Sequence, residues 1–400
     1  MNIAIIGAGA AGMAAAISAS ASAKNQIQLF ERQARVGKKL LATGNGRCNL
    51  SNRAAATDHY HGSDISFVEP ALTEFSVEKT LEFFRGLGLY TVTEENGRVY
   101  PYSDQANSVV DVLRFALERK NLTLRTGTEI RGVRRVGAGF LLRTAEETFE
   151  ADKLIVACGG AAGTKLGGGL SGYQLLRSLG HHCTKLYPSL VQLKTDSAPV
   201  RGLKGVRANA SLQLTRNENL LAKAYGEVQF TDYGVSGPAV FDLSRAASTA
   251  ESCELHLDLL PALQGEDLLS ALCIRISRFP ALRCEDLLTG ILHNRLGRVI
   301  LRTCGVALEM PIAELNWKQL NEITNTCHDF FLRVEGTMGF EQAQVTAGGI
   351  YTQEFRADTL ESRVVPGLYA AGEVLDIDGD CGGYNLQWAW SSGLLAGQLR

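Results

Sequence analysis

The chain has 400 residues, 45% of them hydrophobic and 20% charged, with a formal net charge of −2 and a pI near 6.4. That length suggests two or three domains at roughly 150 residues each, the composition is globular with no apolar run long enough for a membrane span, and the charge is not that of a polycation built for nucleic acid. Nine cysteines stand at 48, 158, 183, 253, 273, 284, 304, 327 and 381 with no CxxC pair, which argues against a disulfide framework or a zinc site and for a reducing compartment; no metal is expected.

The first element is an apolar strand, Ile3 to Ile6, entered at Asn2 with no room for a secretory leader, so the chain is expected to work in the cytoplasm. Gly7, Gly9 and Gly12 follow in GxGxxG spacing, then an Ala-rich helix, a second strand from Gln26 to Phe30, and Glu31. Strand, glycines, helix, strand and acid in that order form the dinucleotide fingerprint. The glycines permit a tight turn, close approach of backbone to pyrophosphate and close helix packing, while Ala10 and Ala11 offer first-turn N–H groups. Glu31, with Arg32 beside it, is placed to accept the hydroxyls of an adenosine ribose.

Residues 35 to 52 run through glycines, cations and small amides with little room for a regular helix. Lys39, Leu40, Thr43, Gly44, Arg47, Cys48 and Asn49 are candidates to wrap the pyrophosphate and a polar heterocycle. Ser66 to Leu87 reads as mostly helical, closing on Gly86 and Gly88, and a second helix is expected from Val109 to Lys120. A strand at Leu122 to Thr126 and a β meander from Ile130 to Ala151 come next. The strand Lys153 to Ala157 then stops at Cys158, Gly159 and Gly160 and belongs with the nucleotide sheet, which makes Gly159 a further cofactor candidate.

A second GxGxxG at Gly167 to Gly172 lacks a strand leading into it and has Gln192 where an acid would stand, so it reads as a loop opening a helix from Tyr173 to Leu179. His181 and His182 fall at that helix end and read as packing or terminal residues. From Tyr187 the texture becomes a β-rich insertion, and Leu263 to Leu332 has helical periodicity. Clusters at Arg131, Arg134 and Arg135, at Arg201, Lys204 and Arg207, and at Arg295, Arg298 and Arg302 read as solvated faces.

The C-terminal stretch identifies the dinucleotide. Val365 to Glu373 is a turn, a strand, Gly372 and an acid, and Gly382, Gly383, Tyr384 and Asn385 open a final helix. Glu373 can bind a ribityl chain, and the helix start can stabilise negative charge on the pyrimidine end of a reduced flavin. FAD is therefore favoured over NAD. Trp388 and Trp390 on that helix read as packing residues.

The motifs GAGAAG, GKKLLATGNGRCNLSN, GRVYPYSDQANSV, FTDYGVSGPAV, VTAGGI and GLYAAGEVLDIDGDCGGYNLQWAWSSG resemble, in order, those of the BaiN/RdsA family of NAD(P)/FAD-dependent oxidoreductases. Ser171 and Tyr233 depart from that pattern, where many members carry Asp and His. The resemblance implies an α/β fold: a Rossmann-like FAD-binding domain of glutathione-reductase type (1–190 and 341–400), an inserted β-rich domain (191–260 and 331–340) and a small helical lobe (261–330).

It also implies a reductase that adds hydride to a ring C=C bond. The expected substrate is uridine in 23S ribosomal RNA, giving dihydrouridine, or else a small conjugated enone such as a 3-oxo bile-acid intermediate. NAD(P)H, with no Rossmann domain of its own here, is expected to bind transiently as the electron donor. Cys48, Cys381 and Tyr384 are the candidate acids for the neighbouring carbon, and Arg47 and Asn49 the candidates for positioning. A flavin-bearing RNA-binding module without turnover is a third reading. Oligomeric state is left open.

Overall fold

A run such as Asn2-Ile-Ala-Ile-Ile, with four consecutive buried side chains, suits a strand covered on both faces. In the computed structural model, which describes residues 1–250 and 252–400, it is the middle strand of a five-stranded parallel sheet. The strands β1 (Asn2–Ile6), β2 (Gln26–Phe30), β3 (Leu122–Arg125), β4 (Lys153–Val156) and β5 (Leu368–Ala370) lie in the order β3-β2-β1-β4-β5. Pairing is parallel throughout, for example Ile3 to Ile27 and Ile3 to Lys153. Strand order reverses beside β1, and in such sheets the ligand crevice lies at the carboxyl ends of the strands at that point.

Two helices fix the centre of this unit, α1 (Ala10–Ala19) after β1 and α2 (Tyr384–Ala396) near the end of the chain. They meet through glycine. A Cβ on Gly393 would stand 2.4 Å from the Ala11 carbonyl oxygen, and one on Gly397 would stand 2.4 Å from that of Ala15. Trp388 and Trp390 are fully buried on α2, and the Trp390 indole donates to the Leu50 carbonyl at 2.9 Å.

The chain forms two compact units, residues 1–187 with 344–400 and residues 188–343. The second unit is a closed antiparallel barrel of six strands, running Leu193–Thr195, Gly234–Ser236, Asn219–Phe230, Arg207–Arg216, Glu254–Asp258 and Phe330–Thr337 around its wall. Alternation puts Ala210, Leu212 and Leu214 inside. The helices Pro238–Thr249, Gly265–Arg278, Asn294–Thr303 and Trp317–His328 share one core with these strands, through Val240, Leu243, Leu272, Ile300 and Ile323.

Some expected elements differ. Ser66 to Leu87 is broken into Glu69–Glu74 and Val77–Gly86, because Ser76 turns extended and its hydroxyl accepts from Lys79 N–H to cap a new helix. The helix expected at Val109 to Lys120 runs Ala106–Ala116. The loop after Glu31 does contain a helical turn, Lys38–Ala42, where a continuous irregular segment was expected. Gly37, at φ +66°, makes the sharp entry, and buried Leu40 anchors it.

Candidate functional site

The carboxyl ends of β1, β2, β4 and β5 each deliver a glycine or an acid to the same edge. After β1, Gly7 has φ +101° and Gly12 packs so closely that a Cβ there would lie 1.7 Å from the Gly7 carbonyl oxygen. Only glycine tolerates both demands. Gly9 caps α1 without a side chain, and the space in front of it is open, so the first-turn N–H groups at Ala10, Ala11 and Gly12 face outward without intrahelical partners.

After β2, Glu31 accepts from Ala8 N–H at 2.9 Å and from Gln33 N–H at 2.8 Å, one bond to each carboxylate oxygen. Each oxygen keeps a second lone pair for a hydroxyl. Arg32 turns away from this acid and donates to the Gly167 carbonyl, tying the second glycine loop to the site's edge. After β4, Gly159 at φ +71° faces open space, while Cys158 is half-buried and its thiol is pushed up to about 12 by desolvation, with Glu31 adding to the rise.

After β5, Gly372 at φ +75° donates its N–H to Ser392 Oγ at 3.0 Å. Glu373 joins three segments: it accepts from Lys39 Nζ at 2.7 Å and from Thr346 N–H at 2.9 Å, and a Cβ on Gly160 would stand 2.4 Å from it.

The loop after the Lys38–Ala42 turn meets the start of α2. Thr43 closes its own turn by donating to the Leu40 carbonyl, and Gly44, at φ +56°, brings the chain against Asn49 N. Gly383, the N-cap of α2 at φ +105°, is wedged against Ser51 O and Asn49 Oδ1. Asn49 Oδ1 is buried and has no hydrogen-bond partner among the described residues. A buried amide oxygen left in that state costs free energy unless a donor arrives.

Other candidates have different duties. Asn385 clamps its own loop, accepting from Gly379 N–H at 2.8 Å and donating to the carbonyls of Gly379 and Asp380. Arg47 lies over the Tyr100 ring at 3.9 Å and pairs with Asp104 and Glu94, whose hydrogen bonds raise its already high pKa further. Cys48 is fully buried at φ +63°, and burial pushes its thiol up to about 12. A buried thiol of that kind packs; it does not reach a substrate. Cys381 is half-buried in the turn leading to Gly382. His181 is buried against Phe355 and Ser362, and His182 pairs with Glu354, so both lie in helix-end packing.

The first residue of α2, Tyr384, belongs to a cluster that motif reading did not find. The short strand Tyr60–His61 pairs antiparallel with Asp378–Gly379. Asp380 is thereby set between two imidazoles, His59 Nδ1 at 3.0 Å and His61 Nε2 at 2.7 Å. Burial alone would raise the Asp380 carboxyl, but the hydrogen bonds from His61 and His59 outweigh it and hold the group below the ordinary value. Tyr384 stacks on His59 with centroids 4.2 Å apart and planes at 17°, and Tyr60 donates to the Tyr384 carbonyl at 3.0 Å. The signal available in sequence was His-x-His, since side chains two apart share one face of a strand. No three His, Cys, Asp or Glu among the described residues are arranged to hold a metal ion.

The arrangement fits a long dinucleotide. Ala11, in the first turn of α1, touches Gly393, nine residues into α2, so the two helix starts are about 13 Å apart at 1.5 Å per residue. One start has open space suited to phosphates, the other a buried acceptor and a ring of protonable groups. Gly7, Gly9, Ala10, Ala11, Gly12 and Glu31 stand around the α1 start, and Asn49, Gly382, Gly383 and Tyr384 around the α2 start, with Lys39 and Glu373 paired on the loops after β2 and β5.

A family model described as HI0933-like protein Rossmann domain matches residues 1–399. The chain is 41% identical over 402 residues to the 3-dehydro-bile acid delta(4,6)-reductase of Clostridium scindens, covering 99% of this chain and 98% of the relative. It is 31% identical over 389 residues to the ribosomal RNA dihydrouridine synthase of Escherichia coli, covering 97% and 95%. Among solved structures, 3-ketosteroid delta1-dehydrogenase from Sterolibacterium denitrificans aligns with a TM-score of 0.50 at 12% identity over 99% of this chain and 98% of that one, a likeness of fold. No helix among the described residues is long and apolar enough to cross a membrane.

Proposed function

The chain belongs to the HI0933-like Rossmann family, the BaiN/RdsA family that its motifs resemble, and from that membership we propose that it is an FAD-dependent reductase of ring C=C bonds conjugated to a carbonyl. The observation that carries the reading is the paired cradle: α1 begins at open Gly9 beside Glu31, and α2 begins at Gly383 beside the orphaned Asn49 oxygen. FAD bound there would supply the hydride, itself reloaded by NAD(P)H. Glu31 would hold the adenosine ribose, the α1 start the pyrophosphate, Glu373 with Lys39 the ribityl chain, and the α2 start the pyrimidine edge.

The substrate reading we favour is a small conjugated 3-oxo ring compound of the kind named for the relative at 41% identity. Charge supports it: in the barrel unit Lys204 pairs with Asp232, Arg207 with Glu227 and Arg298 with Glu285, and Arg295 donates to the carbonyls of Gly202 and Lys204. These cations already have partners, whereas a phosphate-binding face presents cations to its ligand. The second reading, uridine in 23S ribosomal RNA, rests on the relatives at 31% and 29% identity. Either activity is set in the cytoplasm, where NAD(P)H is available.

One paired experiment separates them. Purified protein with NAD(P)H is offered a 3-oxo-4,6-diene bile acid and the product is read by mass, while dihydrouridine in 23S ribosomal RNA is measured in a deletion strain with and without the gene. Saturated steroid with an unchanged RNA mark supports the first reading; loss and rescue of the mark supports the second; neither product sinks the reductase reading.

A further inference from the structure

We propose that His59 is the proton donor of this reduction, held for the task by Asp380 and by stacking on Tyr384; the inference rests on the reductase reading above. Asp380 accepts from His59 at Nδ1, 3.0 Å away. A carboxylate on that nitrogen fixes the tautomer and turns Nε2 outward as the working atom. Tyr384 OH is 3.5 Å from Nε2, but the two ring planes are only 17° apart. The contact is long for a hydrogen bond and joins two nearly parallel rings, so it is a weak one that a substrate can displace. Tyr384 is a platform, and Nε2, held only by this weak contact, is the ring nitrogen open to a substrate.

His61 does not serve as well. It meets Asp380 through Nε2, so its remaining nitrogen is Nδ1, next to its own Cβ and shorter in reach. The Cys48 thiol is buried. Tyr60 is buried too, its pKa pushed up by burial and then by Tyr384 and Asp380, and its hydroxyl is committed to the Tyr384 carbonyl. The other titratable groups on the surrounding segments are Asp378 on the paired strand, Cys381 in the turn and Arg98 near Gly382. None is stacked on the first residue of α2 as His59 is.

The cluster is also pre-set. Asn385 clamps the 379–385 loop, Asp380 N–H donates to the His59 carbonyl at 3.0 Å, and a Cβ on Gly379 would stand 2.9 Å from that of Tyr384. His59 and Asp380 each keep 31% of their side-chain surface exposed, enough for a substrate to reach the imidazole.

The step balances. FAD, when bound, would supply the hydride for a new C–H bond at the electron-poor carbon, the π pair going to the carbonyl as an enolate. The adjacent carbon then takes the proton from Nε2 of the doubly protonated His59 ring: that C–H bond forms, the Nε2–H bond breaks, the carbonyl is restored, and the neutral imidazole left with Nδ1–H on Asp380 takes its next proton from solvent. The reductant is NAD(P)H.

The test uses FAD-loaded wild type and the variants His59→Gln, Asp380→Asn and Asp380→Glu. Each is reduced anaerobically with NADPH and mixed with a 3-oxo-4,6-diene bile acid or with unmodified 23S ribosomal RNA. His59→Gln is expected to slow flavin reoxidation by roughly 10²- to 10⁴-fold, with flavin reduction by NADPH and KM each within about threefold of wild type on the premise of intact binding. In D2O the wild type should label one face of the protonated carbon and His59→Gln both. Nitrogen NMR of the cofactor-free protein, read on the neutral ring at alkaline pH, should show the Nδ1–H tautomer of His59, a tautomer mixture in Asp380→Asn, and recovery in Asp380→Glu. Reoxidation of His59→Gln at the wild-type rate overturns the assignment of His59 while the reductase stands. A wild type that neither probe reoxidises overturns both.

Discussion

Helices α1 and α2 pack side by side and both begin at a glycine, yet their first turns meet opposite surroundings. At α1 the groups that shape the opening, Gly7, Ala8, Gly12 and Glu31, come from a single βαβ unit, and Glu31 is fixed by two backbone N–H groups. At α2 the opening is assembled from residues 49–52, 59–61 and 379–385, and it is lined by two histidines, an aspartate and two tyrosines. One end supplies fixed dipoles, which suit a phosphate, and a static carboxylate, which suits ribose hydroxyls. The other supplies groups that change protonation, which suits chemistry.

The comparison breaks most severely at Gly12. Gly12→Ala places a methyl 1.7 Å from the Gly7 oxygen, so α1 must leave the sheet. A loss of more than about 3 kcal/mol is expected, read as a collapsed melting temperature together with absent flavin. Glu31→Gln is gentler, because it keeps the shape and exchanges a carboxylate for an amide facing two N–H donors. FAD affinity should fall roughly 10- to 100-fold, the worth of charge-assisted bonds, measured by titrating the apoprotein, with little change in the α2 cluster.

At α2, Asp380→Asn should cost about 1–2 kcal/mol, discounted for its partial exposure, and the cost should depend on pH in a definite direction. The Asp380 carboxyl is held below its ordinary value when folded, so its contribution is fully present above the unfolded carboxylate value near 4 and is lost as pH falls through the folded one. The gap between wild type and variant in urea unfolding should therefore be open at pH 6 and narrow as pH falls below about 4. A gap that widens in acid would contradict the pairing. The smallest effect is expected at Cys48. Cys48→Ala should lower stability by about 1 kcal/mol and leave turnover within about threefold; a hundredfold loss of turnover would return the thiol to the list of acids.

The two ends were not equally readable in the sequence, and the cause is range. The α1 end is written in one continuous stretch, where glycine spacing, helix and acid are local consequences of backbone sterics. Gly382 and Gly383 were also readable, because a glycine loop before a helix is a local signal. The Asp380 cluster was not, since His59 and Asp380 stand 321 positions apart and meet through two residue pairs of a short ladder. Arg47 shows the same gap in reverse. A cation in a glycine loop reads as a ligand for phosphate, but Glu94 and Asp104, on either side of the strand Arg98–Pro101, take its guanidinium. The five-residue helix Lys38–Ala42 was hidden by flanking glycines, although Leu40 supplied the apolar anchor.

Anaerobic absorbance of the purified protein tests the reductase reading most directly. The account predicts a bound FAD spectrum that NADPH bleaches and that either a 3-oxo-4,6-diene bile acid or unmodified 23S ribosomal RNA restores, with one reduced ring bond formed per flavin reoxidised. A protein that binds no flavin, or whose bound flavin stays oxidised with NADPH or stays bleached after both substrates, would contradict it.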